Sequence, residues 1–380
     1  MKSIPVSLMR GGTSKGVFVL RSDLPENITE RDNLLLKLIG SPDAYGKQIN
    51  GLGGATSSTS KVVIIDKSEQ QGIDVDYLFG HVSITEPIID YSGNCGNLTS
   101  AVGVFAIEQG LVENITSPVT KVNVWQENLG QKIIVNVPVD NDGHVITDGN
   151  TDLAGVTGQG AAIVIDFLKP GIGDESLALP TNKPKELLNV KNYGELEVSL
   201  IQAGNATVFI HEGSLGLIGK ETYDEINNDV ELLNKVEEIR CAASVKMGLT
   251  QTTDEAKQRP GTPKLCFVNK PRDYINTQGE IIRKIDMDIY ARIFSMGKLH
   301  HAFTGTGAIA IAVAANIENT IVFDCLSKEL KCNQSLKIGH TAGVIECGAL
   351  VSNTNDSWIT ESASLTRTAR TLMQGNAFIS

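Results

Sequence analysis

The sequence predicts an α+β protein of two similar lobes, and three observations carry that prediction. A strand–turn–strand pattern occurs twice, at Ile4 to Leu20 (IPVSLMRGGTSKGVFVL) and at Leu196 to Ile210 (LEVSLIQAGNATVFI). Val6-Ser7-Leu8 matches Val198-Ser199-Leu200, Gly12 matches Gly204, and Val17-Phe18-Val19 matches Val208-Phe209-Ile210. A second pattern follows in the same order. The turn Asn94-Cys95-Gly96-Asn97 opens one apolar helix, and Thr304-Gly305-Thr306-Gly307 opens another. Short β-rich runs surround both helices, so each half reads as strands grouped around one buried helix.

In chain order, the first hairpin is followed by a helix over Glu30 to Ile39 and by the strand runs KVVIID and HVSIT. After Asn97 the apolar positions Leu98, Ala101, Val102, Phe105 and Ala106 form the i, i+3, i+4, i+7, i+8 stripe of a helix. KVNVW, KIIVNVPV and AAIVIDFL then read as strands. Leu168 to Glu195, rich in Pro, Gly, Asn and charge, reads as a linker. The second hairpin, a helix over Asp229 to Met247, and the strand KLCFVN follow. AIAIAVAA, apolar on every side, is a buried helix. The lobes are placed at 1–184 and 185–363, with a ligand cleft expected between them and both helix starts facing it.

With 380 residues, 41% hydrophobic and 20% charged, the chain is an ordinary globular protein too long for one small core. A net charge of −11 argues against nucleic acid as a partner, because phosphate binding needs a basic face. Cations that meet an anionic substrate must therefore be local. The six cysteines (95, 241, 266, 325, 332 and 347) show neither a CxxC pair nor zinc spacing and read as reduced thiols of a cytoplasmic protein. The N-terminal MKSIPVSLMR is too short an apolar run for a signal peptide, and Ala308 to Ile317 is too short to span a bilayer. No membrane partner is expected, and association into a homo-oligomer stays open.

Four clusters offer chemistry. At Asn94-Cys95-Gly96-Asn97 a thiol stands at a helix start, where unpaired N–H groups lower a thiol pKa and hold carboxylates; the plain alternative is a buried structural cysteine. Arg10 to Gly16 (RGGTSKG) offers the Arg10 cation, the hydroxyls of Thr13 and Ser14, and glycines that let backbone approach a ligand; the alternative is a hairpin turn. In Gly51 to Asp66, the hydroxyls of Ser57, Ser58, Thr59 and Ser60 precede Lys61 at a strand start, and they suit a carboxylate. This is no Walker loop, since the G-x-x-x-x-G-K-[ST] order is absent, and a solvated lysine is the alternative. In Ser295 to Ala308, His300 and His301 adjoin the second helix start; at most one faces a site, and His301 is the candidate. No third ligand stands at metal spacing, so no metal is expected.

With these motifs the chain resembles the PrpF family, within the diaminopimelate-epimerase-like fold. MRGGTSKG, GLGGATSSTSKV, DVDYLFG, NCGN, SPVTKV, TPK, SMGKLHHA, TGTGAIA and ARTLMQG carry the resemblance, in order, over nearly the whole length. It implies two pseudo-symmetric lobes, each a curved sheet or barrel around a central helix, with the tail 364–380 returning to the first lobe. It also implies a cofactor-free isomerase of unsaturated di- or tricarboxylates: a 2-methylaconitate cis-trans isomerase of propionate catabolism, a 3-methylitaconate Δ-isomerase or a 4-oxalomesaconate tautomerase. SMGKLHHA and TPK are most similar to the 2-methylaconitate branch. The family's catalytic lysine corresponds to Lys61 and its cysteine to Cys95. Diaminopimelate epimerases carry a cysteine at each helix start, whereas Thr304 stands at the second start here, which disfavours two-thiol racemisation.

Cis-trans isomerisation by this route removes an allylic proton, lets the former double bond rotate and returns the proton. It needs a base and donors for the developing carboxylate charge, and backbone N–H groups at Gly96, Asn97, Gly305 and Thr306 are candidates for the second task. Holding a lysine neutral at pH 7 costs about 4.6 kcal/mol, and ionising a thiol about 2 kcal/mol. Energy therefore favours Cys95 as base and resemblance favours Lys61; Lys61 is taken as base, with Cys95 its partner. The remaining substrate-binding candidates are Arg10, Thr13, Ser14, Ser57, Ser60, Asn94, His301 and Thr304. A carboxylate-binding protein without catalysis is the non-enzyme alternative.

Overall fold

A computed structural model of the chain describes residues 2–327, 334–354 and 357–379; Cys332 lies outside them. Two compact units emerge, residues 1–166 with 366–380, and residues 167–365. The division falls inside the strand Ile163–Leu168, not at residue 184. The expected linker holds a further strand, Glu186–Val190, antiparallel to Gly194–Ala203. Its Leu188 and Val190 are buried in the second unit's core, an alternation that the surrounding Pro, Asn and Lys residues obscure in the sequence.

In the first unit, Lys2–Gly11 turns into Ser14–Leu20 through Gly12-Thr13, and Gly12 has φ +51°. Ser14–Leu20 runs parallel to Lys61–Lys67, which is antiparallel to Val75–Val82. Val75–Val82 then runs parallel to Val119–Gln126, itself antiparallel to Gln131–Pro138. On the other side of Lys2–Gly11 lies the last strand, Ala369–Ile379, paired from Lys2↔Ile379 to Gly11↔Ala369. The helix Thr99–Glu108 packs against strands from both ends of this order, 131–138 and 369–379, so the sheet curves around it. Every residue from Thr99 to Ile107 is buried.

Strand parity sorts the two faces. Val17, Val19, Val62 and Ile64 share a core with Leu34, Leu35, Leu38 and Ile39 of the outer helix Ile28–Ile39. Asn27 caps that helix by accepting from the Glu30 N–H, and Gly40 ends it with φ +82°. The alternate residues face the central helix, as the Phe18–Phe105 ring contact at 5.6 Å shows. KVVII is consequently buried on both faces.

The second unit repeats this pairing. Gly194–Ala203 and Asn205–His211 form an antiparallel hairpin about Gly204, φ +67°. Asn205–His211 runs parallel to Lys264–Asn269, which is antiparallel to Ile289–Ser295. Ile289–Ser295 is parallel to Leu336–His340, and that strand is antiparallel to Gly343–Thr354. Antiparallel, parallel, antiparallel, parallel, antiparallel is the order in both units. The fully buried helix Gly305–Ala314 packs against 194–203, 205–211 and 343–354. The helix Val230–Lys246, capped by Asp229, covers the opposite face through Val236, Ile239 and Ala243. Among the described residues, no helix is long and apolar enough to cross a membrane.

A Cβ on Gly103, mid-way along the first central helix, would stand 2.7 Å from Val135 Cγ1 and 2.8 Å from Val137 Cγ2. Gly103→Ala gains helix propensity but overpacks this contact. Overpacking dominates, and the variant is expected to lose about 1–3 kcal/mol, read as a lower urea midpoint at unchanged m-value.

Candidate active site

Lys61 reaches the central helix because of strand parity. It shares a strand face with Val63 and Ile65, opposite to the face of Val62 and Ile64 that packs on the outer helix. On the neighbouring strand Ser14, Gly16 and Phe18 have the same orientation. Gly16 is required there: a Cβ would come 2.8 Å from Leu98 Cδ1 and 3.2 Å from the Lys61 carbonyl. Lys61 is 5% exposed; its Nζ donates to Ser14 Oγ at 2.9 Å and lies 3.4 Å from Cys95 Sγ.

Cys95 lies in the turn that leads into Thr99–Glu108, three residues before the N-cap Leu98. The Thr99 N–H bonds the Cys95 carbonyl at 3.0 Å, and the Leu98 N–H points at Cys95 Sγ at 3.5 Å. Sulfur here takes the place of a capping oxygen. Burial pushes the thiol pKa up, but the Lys61 charge and hydrogen bonding to the Leu98 N–H, Ser14 and Lys61 outweigh it. The Cys95 pKa therefore lies below its ordinary value of 9.0. Cys241 and Cys325 go the other way, pushed up by burial to about 12 and about 11, and burial raises Cys266 as well. Among these four cysteines Cys95 alone has a lowered pKa.

The first hairpin supports this turn. A Cβ on Gly11 would meet the Asn97 carbonyl at 2.6 Å, and one on Gly12 would meet Asn97 Oδ1 at 2.5 Å. These glycines thus let the hairpin approach the helix start, where the sequence had suggested approach to a ligand. Asn97 Nδ2 donates to Thr13 Oγ1 at 3.0 Å, and Asn97 Oδ1 accepts from Arg367 Nε at 2.8 Å. Arg10 has the opposite parity to Gly11; its guanidinium donates to the Gly12 and Thr368 carbonyls and to Thr368 Oγ1. It ties the hairpin to the last strand and is not gathered at Lys61.

The hydroxyl run before Lys61 also divides. Ser60 points away from Lys61 and donates to Gln48 Oε1 at 2.7 Å, while Gln48 Nε2 reaches Ser41 Oγ at 2.8 Å. Ser57 contributes its carbonyl to His81 Nε2 at 2.8 Å, and His81 is the register partner of Lys61. Asn94 accepts from Thr99 Oγ1 at 3.4 Å, and Gly96 is buried within the turn. The structure thus brings Ser14, Lys61, Cys95 and the Leu98 N–H together, with Thr13 and Asn97 behind them.

In the second unit Thr304 accepts from the Gly307 N–H at 3.1 Å, and the Ala308 N–H bonds the Thr304 carbonyl at 3.0 Å. These are the bonds Cys95 makes with Leu98 and Thr99, so Thr304 is the positional counterpart of Cys95. Thr306 Oγ1 accepts from Asn205 Nδ2 at 3.1 Å, and Gly305 is the first residue of the helix. His301 stacks on His300 with ring centroids 4.7 Å apart, and His300 Nδ1 accepts from the Ala302 N–H. His81, Gln48 and Arg367 escaped the sequence reading. His81 shows itself only once strand register is known, and Arg367 lies 270 positions from Asn97.

Two outcomes follow. Iodoacetamide should label Cys95 in preference to Cys241, Cys266 and Cys325 at neutral pH, with a rate that rises along a titration below pH 9. Lys61→Met removes the stabilising charge and leaves burial, so the midpoint should move up; mass-spectrometric labelling rates against pH read both. Arg367→Met should cost about 1.5–3 kcal/mol by removing a charged hydrogen bond to Asn97, measured by urea unfolding.

The whole chain, residues 1–380, matches the family model described as PrpF protein. The 2-methyl-aconitate isomerase of Shewanella oneidensis is 44% identical over 382 residues, covering 98% of this chain and 96% of that protein. The crystal structure of methylitaconate-delta-isomerase is 36% identical with a TM-score of 0.76, covering 100% of this chain and 96% of that one. A hydroxyproline epimerase from Agrobacterium vitis is 11% identical with a TM-score of 0.56, covering 99% of this chain and 92% of that one; it shares the fold alone. Motif order, doubled architecture and these likenesses agree, and the chain belongs to the PrpF family.

Proposed function

We propose that this isomerase interconverts the cis and trans forms of an unsaturated tricarboxylate of the 2-methylaconitate type, with Cys95 and Lys61 handling the proton. The observation that carries the reading is the 3.4 Å approach of Lys61 Nζ to a buried Cys95 sulfur whose pKa is lowered. The 44% identity to a 2-methyl-aconitate isomerase supports the substrate class.

The thiolate removes an allylic proton, and the electron pair of that C–H bond delocalises through the former double bond into the conjugated carboxylate. Rotation about the weakened bond follows, and the Cys95 thiol returns the proton to the carbon that lost it. Atoms and charge balance, and the thiolate is regenerated. Lys61 in this scheme holds the thiolate before proton removal and faces the developing charge afterwards. The sequence-based assignment took Lys61 as base with Cys95 its partner; the lowered thiol pKa supports the opposite division of roles. Thr304 supplies no second acid, since its hydroxyl caps a helix and has no activating base among its hydrogen bonds. A second reading, a double-bond shift like that of methylitaconate-delta-isomerase, uses the same proton removal and returns the proton to a different carbon.

Incubation with 2-methylaconitate in deuterated buffer, followed by proton NMR, tests the reading. Interconversion should be accompanied by deuterium at the allylic position. Cys95→Ser and Lys61→Ala should each lower turnover at least ~100-fold, the range of general acid–base catalysis, without lowering the unfolding midpoint. Turnover should rise with pH along a limb below 9, because the active form carries the thiolate. Near-normal rates in either variant, or inertness toward this substrate beside exchange with 3-methylitaconate, would overturn the respective assignment.

A further inference from the structure

We propose that the first unit carries a second small-molecule site, suited to a small organic cation, at the end of its central helix away from Cys95. The inference starts from lengths. The helix Thr99–Glu108 spans about 15 Å. The strand Lys2–Gly11 spans about 33 Å. Gly11 rests on Asn97, where a Cβ would stand 2.6 Å from the carbonyl, so strand end and helix start coincide. The strand therefore outruns the helix, and that helix does not cover the sheet beyond its own last turn.

Register shows which side chains face the space left there. Ser7 pairs with Phe18 on one side and with Gln374 on the other, so the three share a face. Phe18 points to the central helix, as its 5.6 Å ring contact with Phe105 shows. Two residues further on, Pro5 pairs with Asn376 and continues the same face. A cavity of about 270 Å³ opens at this place, lined by these residues together with Leu20, Asp23 and Gln109. That volume lies a little under the usual range of drug-sized pockets, so its ligand is small.

Charge fixes the class of ligand. Asp23 is the single charged side chain among the described residues of the lining, which hold no lysine, arginine or histidine. Gln109 is the C-cap of the helix, so the cavity meets the negative end of the helix dipole. Both features favour a positive group and disfavour the carboxylates that suit Lys61. Phe18 and Phe105 supply an apolar floor, and aromatic faces attract ammonium groups. Ser7 is 3% exposed, and its hydroxyl bonds no other described residue, which leaves a buried oxygen for a ligand to satisfy. An ammonium on a short apolar body meets all of these at once. Its charge faces Asp23 and the helix end, an N–H reaches Ser7, and its body lies on the rings. The site is opposite in sign to the isomerase site and stands independently of the isomerase reading.

The test is isothermal titration of the full-length protein with 2-phenylethylammonium, against 3-phenylpropanoate of similar shape and opposite charge. The ammonium should bind at least tenfold more tightly at neutral pH. Asp23→Asn should weaken it about tenfold, the worth of one charged hydrogen bond. Ser7→Leu fills the cavity and should abolish binding. Iodoacetamide labelling of Cys95 against pH, without ligand, should match the wild type in both variants, which separates lost binding from a disturbed first unit. Tricarballylate, a saturated tricarboxylate, should not displace the ammonium. Equal affinity for the two probes, or no saturable binding at millimolar concentration, overturns the proposal. Unchanged affinity in Asp23→Asn does so too, and it decides alone should Ser7→Leu not fold. Displacement by tricarballylate puts the ammonium in the isomerase site, and affinity that falls as protein concentration rises gives the space to a second copy of the chain; either result overturns the proposal.

Discussion

A buried sulfur 3.4 Å from a buried ammonium, at the first turn of a buried helix, is the constraint around which the first unit is organised. Burial alone raises the thiol pKa, and the Lys61 charge offsets that. Together they compensate, and the Leu98 N–H adds a dipole from the helix start. This requires a strand whose alternation turns Lys61 inward, a neighbouring strand thinned by Gly16, and a hairpin thin enough at Gly11 and Gly12 to rest on Asn97. Sequence features that look like loop decoration are steric conditions for one electrostatic contact.

The two units show how a doubled framework diverges. Pairing order, hairpin glycine, inward lysine and buried central helix are common to both. The cap atom is not, being sulfur at Cys95 and oxygen at Thr304. The turn's N–H contact persists with either atom, whereas the thiol carries the lowered pKa. The buried arginines illustrate the contrasting, structural use of cations. Arg292 lies between the rings of Tyr290 and Tyr274 at 4.1 and 4.7 Å, and Arg240 pairs with Glu237.

Much of this was legible in the sequence wherever period and repetition coincide. The two hairpins were aligned residue for residue with the observed register, and both central helices were placed by their apolar runs. Lys61 and Cys95 stood out because each adjoins a glycine- or hydroxyl-rich turn. The segment after Leu168 was misread because two buried positions, Leu188 and Val190, are too few to show a period among prolines and lysines. Ser60 and Arg10 look like ligands for an anion in a one-dimensional string; pleat alternation turns Ser60 to Gln48 and Arg10 to Thr368. Lys264 was present in the repeat as well. TPK ends on the lysine that opens KLCFVN, as TSK ends on the lysine that opens KVVIID.

The last strand lies against the first from Lys2 to Gly11, and Arg367, just before it, bonds the turn that holds the thiol. A chain emerging from the ribosome makes Lys61 and Cys95 early and their support last. A chain cut before Arg367 keeps the thiol and loses the clasp on Asn97.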